Sequence, residues 1–145
     1  MPDGAEEWIA VLKLSTRWEC SNLRQLAIRS MHQLKAFRCL NPVRKVIVGR
    51  TLHVKYWVMD GYRALATREN SISDEEMQMI GAVEAFRLER LRNLHSKNNR
   101  YSYVPPEEIS REFQEELDSI ADNEKKYLVQ VSFPRFESRV LASAT

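Results

Sequence analysis

Between Trp8 and Met31 the chain reads WIAVLKLSTRWECSNLRQLAIRSM, with apolar residues recurring every three or four positions. A half-buried strand alternates with a period of two, so this spacing demands helices that bury one side. The break at Glu19–Asn22 divides the stretch into two amphipathic helices joined by a short corner. The first is expected from about Ala5 to Trp18, with Trp8, Val11, Leu12 and Ser15 on one face and Ile9 and Leu14 widening it. The second is expected from about Ser21 to Phe37. Its apolar face is Leu23, Leu26, Ala27, Ser30, Met31, Leu34 and Phe37, and its outer face carries Arg24, Arg29, Lys35 and Arg38. Trp18 is expected to be buried where the corner closes on the second helix.

The later segments continue the helical pattern. Asn41-Pro42 is a start signal, with Asn as the N-cap and Pro at the first helical position. It opens a helix to about Thr51, and another follows from about Lys55 to Thr67. Gly61 inside that second helix either allows a close helix approach or divides it. Ser73 and Glu76 have the spacing of a capping box, with Ile72 and Met77 as its hydrophobic staple. The helix they start is expected to run unbroken to about Ser96, with Val83, Phe86 and Leu94 widening its apolar side. Residues 97–105 read as a linker, and residues 106–123 as one acidic amphipathic helix anchored by Ile109, Phe113, Leu117 and Ile120. Residues 124–145 read as a tail, irregular or with a short strand over Tyr127–Phe133. The fold class is therefore all-α, about six helices built as a helical hairpin with further helices, and residues 1–96 form the main domain.

Composition narrows the function. With 43% hydrophobic and 29% charged residues the chain can bury a core and is not of the disordered class. No apolar run approaches the ~20 residues of a membrane span, and the acidic start MPDGAEEWI is neither a secretory signal nor a transit peptide. Cytoplasm or nucleus is the expected compartment. Cys20 and Cys39 flank the second helix, too far apart for an intrachain disulfide, so both thiols are expected free and partly buried. His32, His53 and His95 fall on different elements without metal-ligand spacing. Phosphate-binding glycine loops and nucleophile elbows are also absent from the sequence. Neither catalytic residues, nor a cofactor, nor a metal is expected, and the chain reads as a non-enzyme.

Two surfaces remain as candidates. The first helix is apolar over so wide an arc that part of Trp8, Ile9, Val11 and Leu14 is expected to stay uncovered, as a patch for a partner protein or for self-association. Between residues 23 and 68 there are ten Lys/Arg against one acid, Asp60. Arg24, Arg29, Lys35, Arg38, Arg44 and Lys45 could form a basic stripe able to hold nucleic acid. The competing reading is that these are the solvated backs of helices, and it is favoured because no nucleic-acid motif accompanies the charge.

The run Leu14-Ser-Thr-Arg-Trp18-Glu-Cys-Ser-Asn-Leu23 followed by Ala27, Ile28 and Met31 resembles the closing helix hairpin of a BTB/POZ domain. Pro42-Val-Arg-Lys45, Gly49-Arg50, Val54 with Trp57, Gly61-Tyr62, Leu65, Arg68, Ile72-Ser73, Glu75-Glu76 and Ile80-Gly81 extend the likeness. Over about residues 6–92 the chain is similar to the C-terminal half of BTB proteins abundant in mushroom-forming fungi. The resemblance implies a non-catalytic protein–protein interaction module. It also implies a truncated one, since in that family a β-sheet and further helices precede the hairpin and carry dimerisation and much of the cullin-binding surface.

Overall fold

The computed structural model describes residues 4–98 and 104–131, without the side chains of 96–98 and 128–131. Every regular element among the described residues is helical: α1 (Ala5–Arg17), α2 (Ser21–Gln33), α3 (Lys35–Arg38), α4 (Pro42–Leu52), α5 (Lys55–Thr67), α6 (Asp74–Ile80), α7 (Ala82–Asn98), α8 (Pro106–Glu112) and α9 (Gln114–Val131). The chain divides into two compact units. Unit 1 takes residues 1–39 and 122–145, and unit 2 takes residues 40–121, so the division falls inside the stretch 1–96.

Unit 2 is organised on the α4–α5 pair. Asn41 caps α4 by accepting a 2.9 Å hydrogen bond from the Val43 N–H, with Pro42 at the first helical position. His53 ends α4 in the left-handed conformation, φ 59°. Two glycines let the helix backbones approach. A Cβ on Gly49 would stand 3.0 Å from the Val54 carbonyl oxygen of the next helix, and one on Gly61 would stand 2.7 Å from the Pro42 carbonyl oxygen. Gly61 thus permits close approach and does not divide α5. Around the pair lies an apolar cluster in which Val46, Val58, Tyr62, Leu65, Leu88, Ile109, Phe113 and Leu117 are all buried. Removing each such side chain from water contributes about 1.5–3 kcal/mol.

The caps behave as their chemistry dictates. Ser73 Oγ accepts from the Glu76 N–H at 3.2 Å, and a Glu76 carboxylate oxygen accepts from the Ser73 N–H at 3.1 Å. Ile72 and Met77 both pack against the core. The expected helix to Ser96 is broken, however, at Gly81. Its φ of 110° belongs to glycine, and a Cβ there would strike the Glu84 carboxylate. The break re-phases α7, so that Ala85, Leu88 and Leu91 face the core while Val83, Phe86 and Leu94 are exposed. Val104, assigned to the linker, is fully buried. The acidic helix expected over 106–123 is two helices, α8 and the first part of α9, because Phe113 departs from helical geometry between them. Its four apolar anchors are buried as expected. The supposed strand is helix as far as Val131, and its last two residues lie outside the described residues.

Unit 1 contains the packed helix pair α1–α2, then α3, then the end of α9 from Asp122. α1 runs as expected and buries Trp8, Ile9, Leu12 and Ser15. α2 stops earlier than expected. Leu34 is extended, φ −80° and ψ 132°, and starts the single turn of α3 that carries the buried Phe37. The phase of α2 also differs. It buries Ser21, Arg24, Ala27 and Met31, a stripe one residue over from Leu23 and Leu26, which are exposed.

Candidate interaction surface

The corner between α1 and α2 is tightly built. The Cys20 N–H donates to the Ser15 carbonyl at 2.8 Å, and Glu19 turns the chain with a left-handed φ of 55°. Arg24 lies beneath. One guanidinium nitrogen donates to Thr16 Oγ1 at 2.7 Å, and the guanidinium carbon sits 4.2 Å from the centre of the Tyr127 ring. Burial lowers the pKa of Arg24, while the charges of Tyr127 and Glu124 act in the opposite sense. A long aliphatic stem and a flat, weakly hydrated head let arginine cover apolar surface and stack on a ring, as it does here. This is why a residue expected on the solvated face is 1% exposed.

With Arg24 inside, the leucines beside it turn outward. Among the described residues of unit 1 the exposed large apolar ones are Leu14, Trp18, Leu23 and Leu26, all within the run that makes the corner. Trp18 is 69% exposed, which overturns its expected burial. On α1 the outward stripe is Ala10, Lys13, Leu14, Arg17 and Trp18, the i, i+3, i+4, i+7, i+8 set that a helix aligns on one side. Of the four residues expected in a patch, Trp8 and Ile9 are buried, Val11 is half-buried and only Leu14 is exposed. Ile9 at 1% exposure leaves the expected patch, while Leu14 stays outside as expected.

Two members of the expected basic stripe, Arg24 and Lys45, are buried. Arg29, Lys35 and Arg38 are exposed in unit 1, whereas Arg44 and Lys45 belong to unit 2. Lys45 is buried and donates to Asp60 Oδ2 at 2.8 Å. Arg50, further along, is also committed. Its Nε donates to Glu116 at 2.8 Å and another nitrogen donates to the Ile80 carbonyl at 2.7 Å, capping the end of α6. Tyr62 completes this network by donating to Glu116 at 2.8 Å while its ring stacks on Phe113 with centroids 4.2 Å apart. Burial, helped by the Glu116 charge, pushes the Tyr62 phenol well above its ordinary value. Burial opposes the charge on Arg50, but hydrogen bonds and charge from Glu116 and Tyr62 outweigh it and raise its pKa. This network ties α4, α5, the end of α6 and α9 together within unit 2.

Two surface clefts in unit 2 hold about 320 Å³, between Lys55, Glu107, Arg111, Gln114 and Asp118, and about 260 Å³, beside Phe86, Arg90 and Leu94. A cleft of about 100 Å³ in unit 2, lined by Tyr56, Met59, Asp60, Arg63, Pro106 and Ile109, is well below the ~300 Å³ at which small-molecule sites begin. Among the described residues no group of three or more His, Cys, Asp or Glu is placed to hold a metal ion. Cys20 and Cys39 are free as expected, but exposed where partial burial was expected. No helix among the described residues is long and apolar enough to cross a membrane. No family model, curated protein or solved structure matches the chain.

Sequence reasoning missed Trp18, Leu23 and Leu26 as surface residues because it assigned them to the core. One signal was present. Leu23, Leu26, Ala27, Ile28 and Met31 cover more of the α2 circumference than one apolar stripe, so some of them had to face outward.

Proposed function

We propose that this chain is a non-catalytic protein–protein interaction module, of the kind its BTB/POZ resemblance implies, and that it works through the α1–α2 corner. The observation that carries the reading is the concentration of Leu14, Trp18, Leu23 and Leu26 on the outside of one short corner. The part of a large apolar side chain left in water contributes nothing to folding, and an exposed tryptophan near leucines is the composition of an interface centre. The intracellular setting of this reading is cytoplasm or nucleus, and it involves no membrane and no cofactor. The test is a photo-crosslinking residue at position 18 of the full chain. Protein adducts are expected, and they are expected to vanish when Leu14→Glu and Leu23→Glu are added to a chain whose helical circular dichroism is unchanged. Irradiation in cells that yields no protein adduct overturns the reading.

A second reading, a basic helical module for nucleic acid, draws on Arg29, Lys35 and Arg38, which are exposed and make no ion pair among the described residues. Its signature is affinity that falls steeply with salt. Binding that survives the change from low to physiological salt counts for the protein interface.

A further inference from the structure

We infer that the α1–α2 corner receives an acidic amphipathic helix of a partner protein. The inference rests on the interaction reading above and adds the chemistry of the partner. The corner surface has two kinds of row. Leu14 and Trp18 stand four residues apart on α1, and Lys13 and Arg17 form a parallel row one residue over; on α2, Leu23 and Leu26 are followed by Arg29. Residues i and i+4 are neighbours on a helix surface, so these rows are continuous. Lys13, Arg17 and Arg29 are exposed and make no ion pair among the described residues. Glu19 is the one carboxylate between Glu7 and Asp60. The corner therefore presents apolar contact bordered by Lys13, Arg17 and Arg29, with Glu19 at the turn and Glu124 close to the buried Arg24 as the nearby carboxylates. Its complement is a helix with an apolar stripe bordered by Asp or Glu.

Other occupants fit less well. A second copy packed corner to corner would bring two surfaces of the same positive sign together. The segment 132–145 carries Arg135 and Arg139 against Glu137, which is not an acidic complement. Nucleic acid would neutralise the cations and leave three leucines in water. A bilayer takes side chains that stand clear of the protein, whereas Leu14, Leu23 and Leu26 are each between 41% and 48% exposed. Half-sunk side chains make a flat surface suited to close packing against another protein.

The experiment uses the full chain and a labelled synthetic helix of about five turns, with Leu every third and fourth position and Glu between. A sister peptide replaces Glu by Lys. The Glu peptide is expected to bind at least ~10-fold tighter than the Lys peptide. Trp18→Ser with Leu23→Ser should abolish binding, and Lys13→Glu with Arg17→Glu should reverse the preference. All four positions are exposed, so these variants are expected to fold. Equal binding of the two peptides, or a preference unmoved by the charge reversal, overturns the inference. So does recruitment to vesicles of phosphatidylserine and phosphatidylcholine in place of either peptide, which would assign the corner to a lipid surface. The two readings fail separately. A crosslinked partner whose segment is basic refutes the acidic helix and leaves the interaction module standing, whereas the absence of any protein adduct removes both.

Discussion

Unit 1 and unit 2 are both helical, yet the α1–α2 pair of one and the α4–α5 pair of the other use their residues in opposite ways. In unit 2 the large apolar side chains of α4 and α5 are inside, with Tyr56 outside, and lysine and arginine are matched to acids: Lys45 with Asp60, Arg50 with Glu116, Arg68 with Glu76. In unit 1 an arginine is inside, four large apolar residues are outside, and the exposed cations of α1 and α2 face water. A helix pattern of period 3.6 thus identifies a helix in both pairs but fixes the buried side only for α4 and α5, and in α7 it likewise leaves Val83, Phe86 and Leu94 outside. The difference lies in what each helix packs against. Gly49 and Gly61 permit a single close register for α4 and α5, whereas α2 offers two adjacent stripes and the aromatic ring of Tyr127 selects the one containing Arg24.

Tryptophan truncation tests this comparison most strongly. Trp57 in unit 2 is 1% exposed, and Trp57→Ala should cost ~3–5 kcal/mol, the usual loss for a core aromatic. Trp18→Ala should change stability by no more than about 0.5 kcal/mol, as surface substitutions do. Urea unfolding followed by far-ultraviolet circular dichroism measures both. Similar losses for the two variants would mean that Trp18 is packed and that the contrast between the units is false.

A smaller effect comes from acid. Glu76 accepts from Arg68, and this hydrogen bond, together with the Ser73 N–H and against the opposing cost of burial, lowers its pKa to about 2. The folded value lies below the ordinary 4.5, so the stabilisation is complete above pH 4.5 and is lost as the pH falls through about 2. The pair is partly solvated, so screening reduces its worth to about 1 kcal/mol. Glu76→Gln should lower the melting temperature at pH 7 and narrow its gap to the parent protein as the pH drops toward 2. An unchanged gap between pH 7 and pH 2.5 would show that Arg68 and Glu76 contribute nothing to unit 2.

Much of the fold is legible in the sequence where local chemistry decides. Asn41-Pro42, the Ser73–Glu76 box, the limits of α1 and α5 and the anchors Ile109, Phe113, Leu117 and Ile120 all follow from capping and period. The misses share a cause. Gly81 is a plausible helix residue until a positive φ is needed, and nothing local announces that need. Leu34 breaks α2 without a glycine or proline, because Phe37 is buried on a separate turn. Most of the candidate surface was illegible, since apolar content marks Leu23, Leu26 and Trp18 as core. Only the tertiary choice of the Arg24 stripe leaves them outside. The exposed cations were visible as a charge imbalance, but their division between two units was not.

The finest test compares the two left-handed residues, one in each unit. Glu19 has φ 55° at the α1–α2 corner and His53 has φ 59° at the end of α4. For a residue with a Cβ this conformation costs about 1–2 kcal/mol, which glycine avoids. Glycine also gives the unfolded chain more freedom, which takes back about 0.5–1 kcal/mol. The net gain is therefore about 0.5 kcal/mol where the lost side chain does little else. Glu19 is exposed, and Glu19→Gly should raise the melting temperature by at most a few degrees, on the scale of about 4–8 °C per kcal/mol for a small domain, less what the glutamate's own interactions contribute. His53 is half-buried, so His53→Gly loses packing as well and should gain less or nothing. Glu19→Gly also deletes the carboxylate at the turn, so it should tighten binding of the Glu peptide, while His53→Gly should not alter it. A stabilised Glu19→Gly variant with unchanged peptide affinity would keep the corner geometry and remove the charge argument for its partner. A destabilised one would mean that the glutamate side chain itself holds the corner in place.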